Sequence, residues 1–156
     1  MKIGVVADSH DNLPAIRKAV AVLDREGVEV LLHAGDFVAP FAVKEFLKAC
    51  APFIAVFGNN DGERKGLGKL SPEIQPGPRQ LDLGGRKIAL AHAREEITPA
   101  LLEQVSVAVF GHTHKLLIEK GKVLRLNPGE CGGWLTGRCT VAILDTDGLN
   151  VRIIDL

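Results

Sequence analysis

The chain has 156 residues, with 19 Lys plus Arg against 19 Asp plus Glu, so its formal net charge is zero. That length suits a single domain over residues 1–156 and is too short for an eight-stranded α/β barrel, which needs about 250 residues. The charge balance argues against attachment to nucleic acid or membrane by bulk charge, and it leaves a local charged site open. Aromatics make up only 4% and Tyr is absent, so the core must be aliphatic. The 3 Cys are too few for a disulfide framework. The apolar run from Cys50 to Phe57 falls far short of the ~18 residues of a membrane span. With no secretory pattern after Met1, the expectation is a cytoplasmic protein with reduced thiols and no membrane partner.

In chain order, Lys2 to Ala7 reads as a strand buried on both faces. Asp11 or Asn12 can cap a helix with Pro14 in its first turn, and Leu13, Ile16, Val20 and Leu23 share one face. Gly27 ends it. Val30 to His33 is a second strand, Pro40 to Cys50 a second helix and Phe53 to Phe57 a third strand. This β-α-β-α-β order predicts a parallel sheet with right-handed crossovers. Gly62 to Pro78 has no sustained period and reads as a long loop. Arg79 to Leu83 and Arg86 to Ala91 flank Gly84-Gly85, a hairpin signal. A short helix at Pro99 to Gln104 precedes a strand at Val105 to Phe110. Two hairpins close the chain: Leu116 to Glu119 with Val123 to Leu126, and Thr140 to Leu144 with Asn150 to Ile154. Mixed strands with few helices predict two packed sheets flanked by helices.

The strand ends carry the chemistry. The first strand exits into Asp8-Ser9-His10, the second into Gly35-Asp36 and the third into Gly58-Asn59-Asn60-Asp61. The strand from Arg86 exits into His92, and the one from Val105 into Gly111-His112-Thr113-His114. Ligands of open α/β sheets bind at the C-terminal strand edge. Asp and His ligate divalent ions, and Asn adds a neutral oxygen. With the period of a strand, Asp8 and His10 point the same way, as do His112 and His114. The glycines permit tight exits and close approach. A lone D-x-H or H-x-H carries little weight. The ordered set carries the inference, while His33, inside a strand, reads as structural. Cys50 reads as a small buried residue.

This ordered series resembles the calcineurin-like metallophosphoesterases, in particular their small bacterial and archaeal phosphodiesterase branch. The resemblance runs from Asp8 to Asn127-Pro128-Gly129. It implies an α/β fold, a four-layer αββα sandwich of two mixed sheets. It implies two divalent transition metal ions, with Mn first and Ni, Fe, Co or Zn as alternatives. One ion would be held by Asp8, His10, Asp36 and His114, and the other by Asp36, Asn59, His92 and His112, with Asp36 bridging. The activity implied is phosphodiester or phosphomonoester hydrolysis by a hydroxide bridging the ions. The substrate would be a small phosphate ester, and small relatives often associate as dimers or larger assemblies.

The chain departs from the resemblance at two places. Many members carry His at the position of Asn60, which has no titratable proton but can donate to a phosphoryl oxygen. Asp61 then reads as a group that orients a neighbour. Ala93-Arg94 follows His92 where small relatives often read Gly-His, and Arg94 is expected either to hold a phosphate oxygen or to be solvated. Relatives such as the retromer subunit keep the fold as protein-binding scaffolds, typically after losing ligands, and none of the ligand positions is lost here. Arg64, Lys65 and Lys69 keep a nuclease groove open against the neutral overall charge. Cys131 and Trp134 read equally as pocket or loop residues.

Overall fold

A computed structural model covers residues 1–156. The first six-stranded sheet is built on parallel strands β1 (Lys2–Val6), β2 (Val30–His33), β3 (Phe53–Val56) and β4 (Ile74–Gln75). The second has five strands: β5 (Arg79–Leu83), β6 (Arg86–Leu90), β7 (Val107–Val109), β8 (Leu117–Glu119) and β9 (Leu124–Asn127). In it β6, β7 and β9 run parallel, while β5 and β8 pair antiparallel on its edges. Strands β10 (Thr140–Asp145) and β11 (Asn150–Asp155) then return to the first sheet, β10 antiparallel to β1 and β11 antiparallel to β10. Both sheets are therefore mixed, as the strand order predicts.

Aliphatic side chains fill the space between the sheets. Ile3, Val5, Leu32 and Val56 of the first sheet pack with Ile88, Leu90, Val107, Val109 and Leu126 of the second. The outer face of the first sheet buries helix α1 (Leu13–Arg25) and helix α2 (Pro40–Phe46) through Ile16, Val20, Leu23, Val43 and Phe46. The outer face of the second sheet carries the short helix α4 (Pro99–Leu102) and a smaller cluster around Ile97 and Phe110. The layers are helix, sheet, sheet, helix. Asn12 caps α1 by accepting from the Ala15 N–H at 3.3 Å, with Pro14 in the first turn and Gly27 in the left-handed conformation past its end.

Two readings of the chain are corrected here. Gly62 to Pro78 is not one loop: helix α3 (Arg64–Leu70) lies within it, and so does β4, the edge strand of the first sheet. Only Leu67 of α3 is buried, so the helix has almost no apolar face to leave a periodic signal. Cys50 is exposed, because α2 ends at Phe46 and the chain has already turned out of the core.

His33 sits wholly inside, edge-on to Phe37, Phe46 and Phe53. The Gly35 N–H donates to its Nδ1 at 3.1 Å, so the ring proton is on Nε2 and donates to Ser9 Oγ at 3.1 Å. Burial, then the neighbouring His92 and His10 rings, push its pKa from 6.5 down to about 3. The unfolded chain therefore takes up a proton here that the native protein refuses. Stability from this group is intact above pH 6.5 and drains as pH falls toward 3. In urea titrations at a series of pH values, His33→Gln should flatten the acid limb by up to about 1.4 kcal/mol per pH unit. An unchanged limb would refute the assignment.

Candidate metal centre

Strands β1, β2, β3, β6 and β7 all end on one side of the sandwich, and their exits meet there. The exits are not extended strand. Asp8, His10, Asp36, His112 and His114 all have left-handed backbone, with φ from 40° to 67°. Each such residue costs about 1 kcal/mol or more, and this strain is concentrated where the polar side chains converge. Asp8 and His10 therefore face a common point through a coiled loop and not through strand alternation. Glycines make the close approach possible. A Cβ on Gly58 would lie 2.1 Å from Asp36 Oδ1, and one on Gly111 would lie 2.9 Å from Asp8 Oδ2.

All the side chains expected as ligands are brought together, in two groups. On one side, Asp8, His10 and His114 present atoms within 4.8 Å of one another. The His10 and His114 rings stack at 5.1 Å, and His114 Nε2 lies 3.8 Å from Asp8 Oδ1. On the other side, Asn59 Oδ1 lies 2.8 Å from His92 Nε2 and 2.9 Å from His112 Nδ1. Asp36 Oδ2 stands between them, 3.5 Å from His10 Nε2 and 3.4 Å from His92 Nε2. His112 and His114 thus face opposite groups despite their shared motif.

The arrangement fits divalent cations. Asp8 Oδ2 and His10 Nε2 are buried with no hydrogen-bond partner, an expensive state for polar atoms. An ion with ligand bonds of about 2.1 Å holds tetrahedral ligand atoms roughly 3.4 Å apart, close to the His10–Asp36 and His92–Asp36 separations. Burial pushes the Asp8 carboxyl up to about 7, opposed by His114 and reinforced by Asp36. Burial also lowers His10 against the pull of Asp36, which keeps its lone pair available.

A second layer of contacts aims these side chains. His92 Nδ1 donates to the Ala34 carbonyl at 2.8 Å, which turns the Nε2 lone pair inward. His114 Nδ1 pairs with the Glu130 carboxylate. Burial raises the Glu130 pKa, but hydrogen bonds from Thr136, His114 and Leu135 outweigh it and hold the carboxyl below its usual range. Asp61 accepts backbone N–H bonds from Asp36 at 2.9 Å, Val38 at 2.7 Å and Gly58 at 2.6 Å. It ties the exits of β2 and β3 together. Burial raises its pKa and those N–H groups pull it back, with burial prevailing. Asn60 donates its side-chain amide to Asp36 Oδ2 at 2.7 Å and its backbone N–H to Oδ1 at 2.8 Å. Its amide thus serves Asp36.

Other expected positions fall elsewhere. Arg94 is turned away from the ligand cluster: its side chain is 51% exposed, 3.9 Å from Glu119, beside a small cleft with Ile97 and Arg125. The single 3₁₀ turn Arg94–Glu96 that follows His92 swings it onto the outer face. Cys131 is packed in the core, where burial raises its thiol pKa. Trp134 is 65% exposed, with its Nε1–H donating to the His10 carbonyl at 3.0 Å. A cavity of about 320 Å³ adjoins His92 and His112, and its cation is Arg64. Glu130 was not among the expected site residues, and Arg64 was expected only as part of a nucleic-acid groove. Glu130 follows the end of β9, itself parallel to β7, and that placement was the available signal.

A family profile for the calcineurin-like phosphoesterase superfamily domain matches residues 1–149. The chain belongs to that superfamily, and with it to a class of hydrolases acting on phosphate esters. The phosphodiesterase MJ0936 of Methanocaldococcus jannaschii is 39% identical over 168 aligned residues, spanning 100% of this chain and 99% of that protein. A solved structure described as a novel archaeal phosphodiesterase superposes with a TM-score of 0.91 at 39% identity, covering 100% of both chains. YfcE, a phosphoesterase from E. coli, superposes with a TM-score of 0.74 at 24% identity over 99% of this chain and 98% of its own, a likeness of fold.

Asp61→Ala would leave buried N–H groups without acceptors. Urea unfolding should show a loss of about 3 kcal/mol or more, since each orphaned donor costs about 1–3 kcal/mol. Calorimetry should show weakened Mn²⁺ binding in the folded variant. Wild-type stability in Asp61→Ala would contradict the tying role.

Proposed function

We propose that this phosphoesterase is a metal-dependent phosphodiesterase acting on small phosphate esters. Its two divalent transition metal ions would be held by Asp8, His10, Asp36 and His114 on one side and by Asp36, Asn59, His92 and His112 on the other, with Mn the first candidate. The carrying observation is Asp36 Oδ2 between His10 and His92, beside unpartnered Asp8 Oδ2 and His10 Nε2. The full-length relation to a phosphodiesterase at 39% identity supports the same reading. Bound there, two divalent ions would polarise phosphoryl oxygens and bring the pKa of water toward neutrality.

The chain's own residues supply the remainder. His92 and His114 are held in the ligating tautomer by Ala34 and Glu130. Asn60 fixes both oxygens of Asp36. The cavity beside His92 and His112 gives room for an ester substituent. Asn60 cannot protonate a leaving group, so general-acid assistance worth about 10²–10⁴-fold is missing from that position.

A matrix of Mn²⁺, Ni²⁺, Co²⁺, Fe²⁺ and Zn²⁺ against bis(p-nitrophenyl) phosphate, cyclic nucleotides and single-stranded DNA tests the activity. Asp36→Ala or His112→Ala should abolish hydrolysis in protein that remains folded. Equal turnover in either variant would defeat the proposal and favour a scaffold of the same fold. For aryl phosphodiesters of graded leaving-group pKa, rates should fall steeply as that pKa rises. Rates indifferent to the leaving group would mean that another residue donates the proton.

A further inference from the structure

The cavity next to His92 and His112 carries one Lys or Arg, Arg64, at the start of α3. Its Nε–H donates to the Asp61 carbonyl at 3.2 Å, and Nη2 donates to the Gly58 carbonyl at 3.2 Å. The guanidinium carbon lies 5.2 Å from the centre of the Phe57 ring. These contacts fix an otherwise exposed side chain to the very loop that presents Asn59. No carboxylate lies within ion-pair distance of it, as is also true of Arg25 and Arg86, whereas Arg17, Arg79, Arg94, Arg125, Arg138 and Arg152 all have such partners. A guanidinium has five N–H donors in a rigid fork, and the two carbonyl bonds leave three free.

The other wall carries the opposing charge. Glu96 is the cavity's carboxylate, and its Oε1 already accepts the Ala93 N–H at 3.0 Å. Arg64 is the one Lys or Arg fixed in place to offset it for an anion entering beside His92 and His112. We propose that Arg64 is a substrate-binding residue whose free N–H groups donate to non-bridging phosphoryl oxygens of the phosphate ester. This rests on the phosphodiesterase reading and adds to it a determinant that lies outside the ligand motifs.

The test compares wild type, Arg64→Ala and Arg64→Lys, each loaded with Mn²⁺ and assayed for metal content and melting temperature. KM and kcat are measured on bis(p-nitrophenyl) phosphate, and inorganic phosphate is titrated by calorimetry. Arg64→Ala should raise KM and weaken phosphate binding by about ten- to a hundredfold with metal content intact, the scale of hydrogen bonds to a charged group. Arg64→Lys should recover part of that loss, since it keeps the charge but not the fork. Unchanged KM and phosphate affinity in Arg64→Ala would overturn the proposal, as would a loss of bound metal that accounts for the whole effect. If wild type hydrolyses no diester with any metal, the phosphodiesterase reading fails. The phosphate titration still decides Arg64 on its own: weaker binding in Arg64→Ala supports it and equal binding refutes it.

Discussion

Asp36 is the point on which the site depends. Its carboxylate is 1% exposed yet reaches His10 of one group and His92 of the other through a single oxygen. Nothing in the interior solvates it as water would, so its place has to be constructed. The Asp36 N–H is held by Asp61, and both its oxygens are held by Asn60. Gly58 leaves the space its carboxylate occupies, where any side chain would collide. Asp61 in turn spans the exits of β2 and β3, so the bridge position follows from the parallel pairing of those strands.

Such a site is costly to fold. Five of the convergent residues adopt left-handed backbone, and one oxygen of Asp8 and one nitrogen of His10 are buried without partners. The cores on either side of the first sheet offset that cost. Ile3, Val5, Leu32 and Leu90 fill the space between the sheets, and Ile16, Leu23 and Phe46 fill the space under the helices. The rigid β framework holds strained loops that could not hold themselves. His33 joins framework to site: it is packed among aromatic rings and hydrogen-bonded to Ser9, between Asp8 and His10.

Much of this was legible in the chain. Continuous aliphatic runs announced the buried parallel strands, and Asp, Asn or His directly after each run announced the edge where ligands gather. What escaped did so for physical reasons. Helix α3 buries only Leu67, so periodicity had nothing to register. Arg94, two residues after His92, was open between holding a phosphate oxygen and lying in solvent, and one 3₁₀ turn places it exposed beside Glu119. Arg64 was read only as part of a nucleic-acid groove; remote from the histidines in sequence, it reaches their cavity because α3 starts over Phe57. Glu130 lies beyond the last expected ligand and reaches His114 only because β9 pairs with β7.

The sequence by itself determined the alternation of strand and helix, the aliphatic core and the set of ligand-capable residues at the strand exits. Those are local properties: residue type, spacing and the turn chemistry of glycine settle them. The resemblance implied how the exits divide into two groups around Asp36, but the tertiary structure alone decided which nitrogen of each histidine faces inward and which arginine reaches the cavity. Each of those outcomes depends on the pairing and packing of strands distant in the chain, and no local pattern encodes the position of a partner that arrives from another sheet.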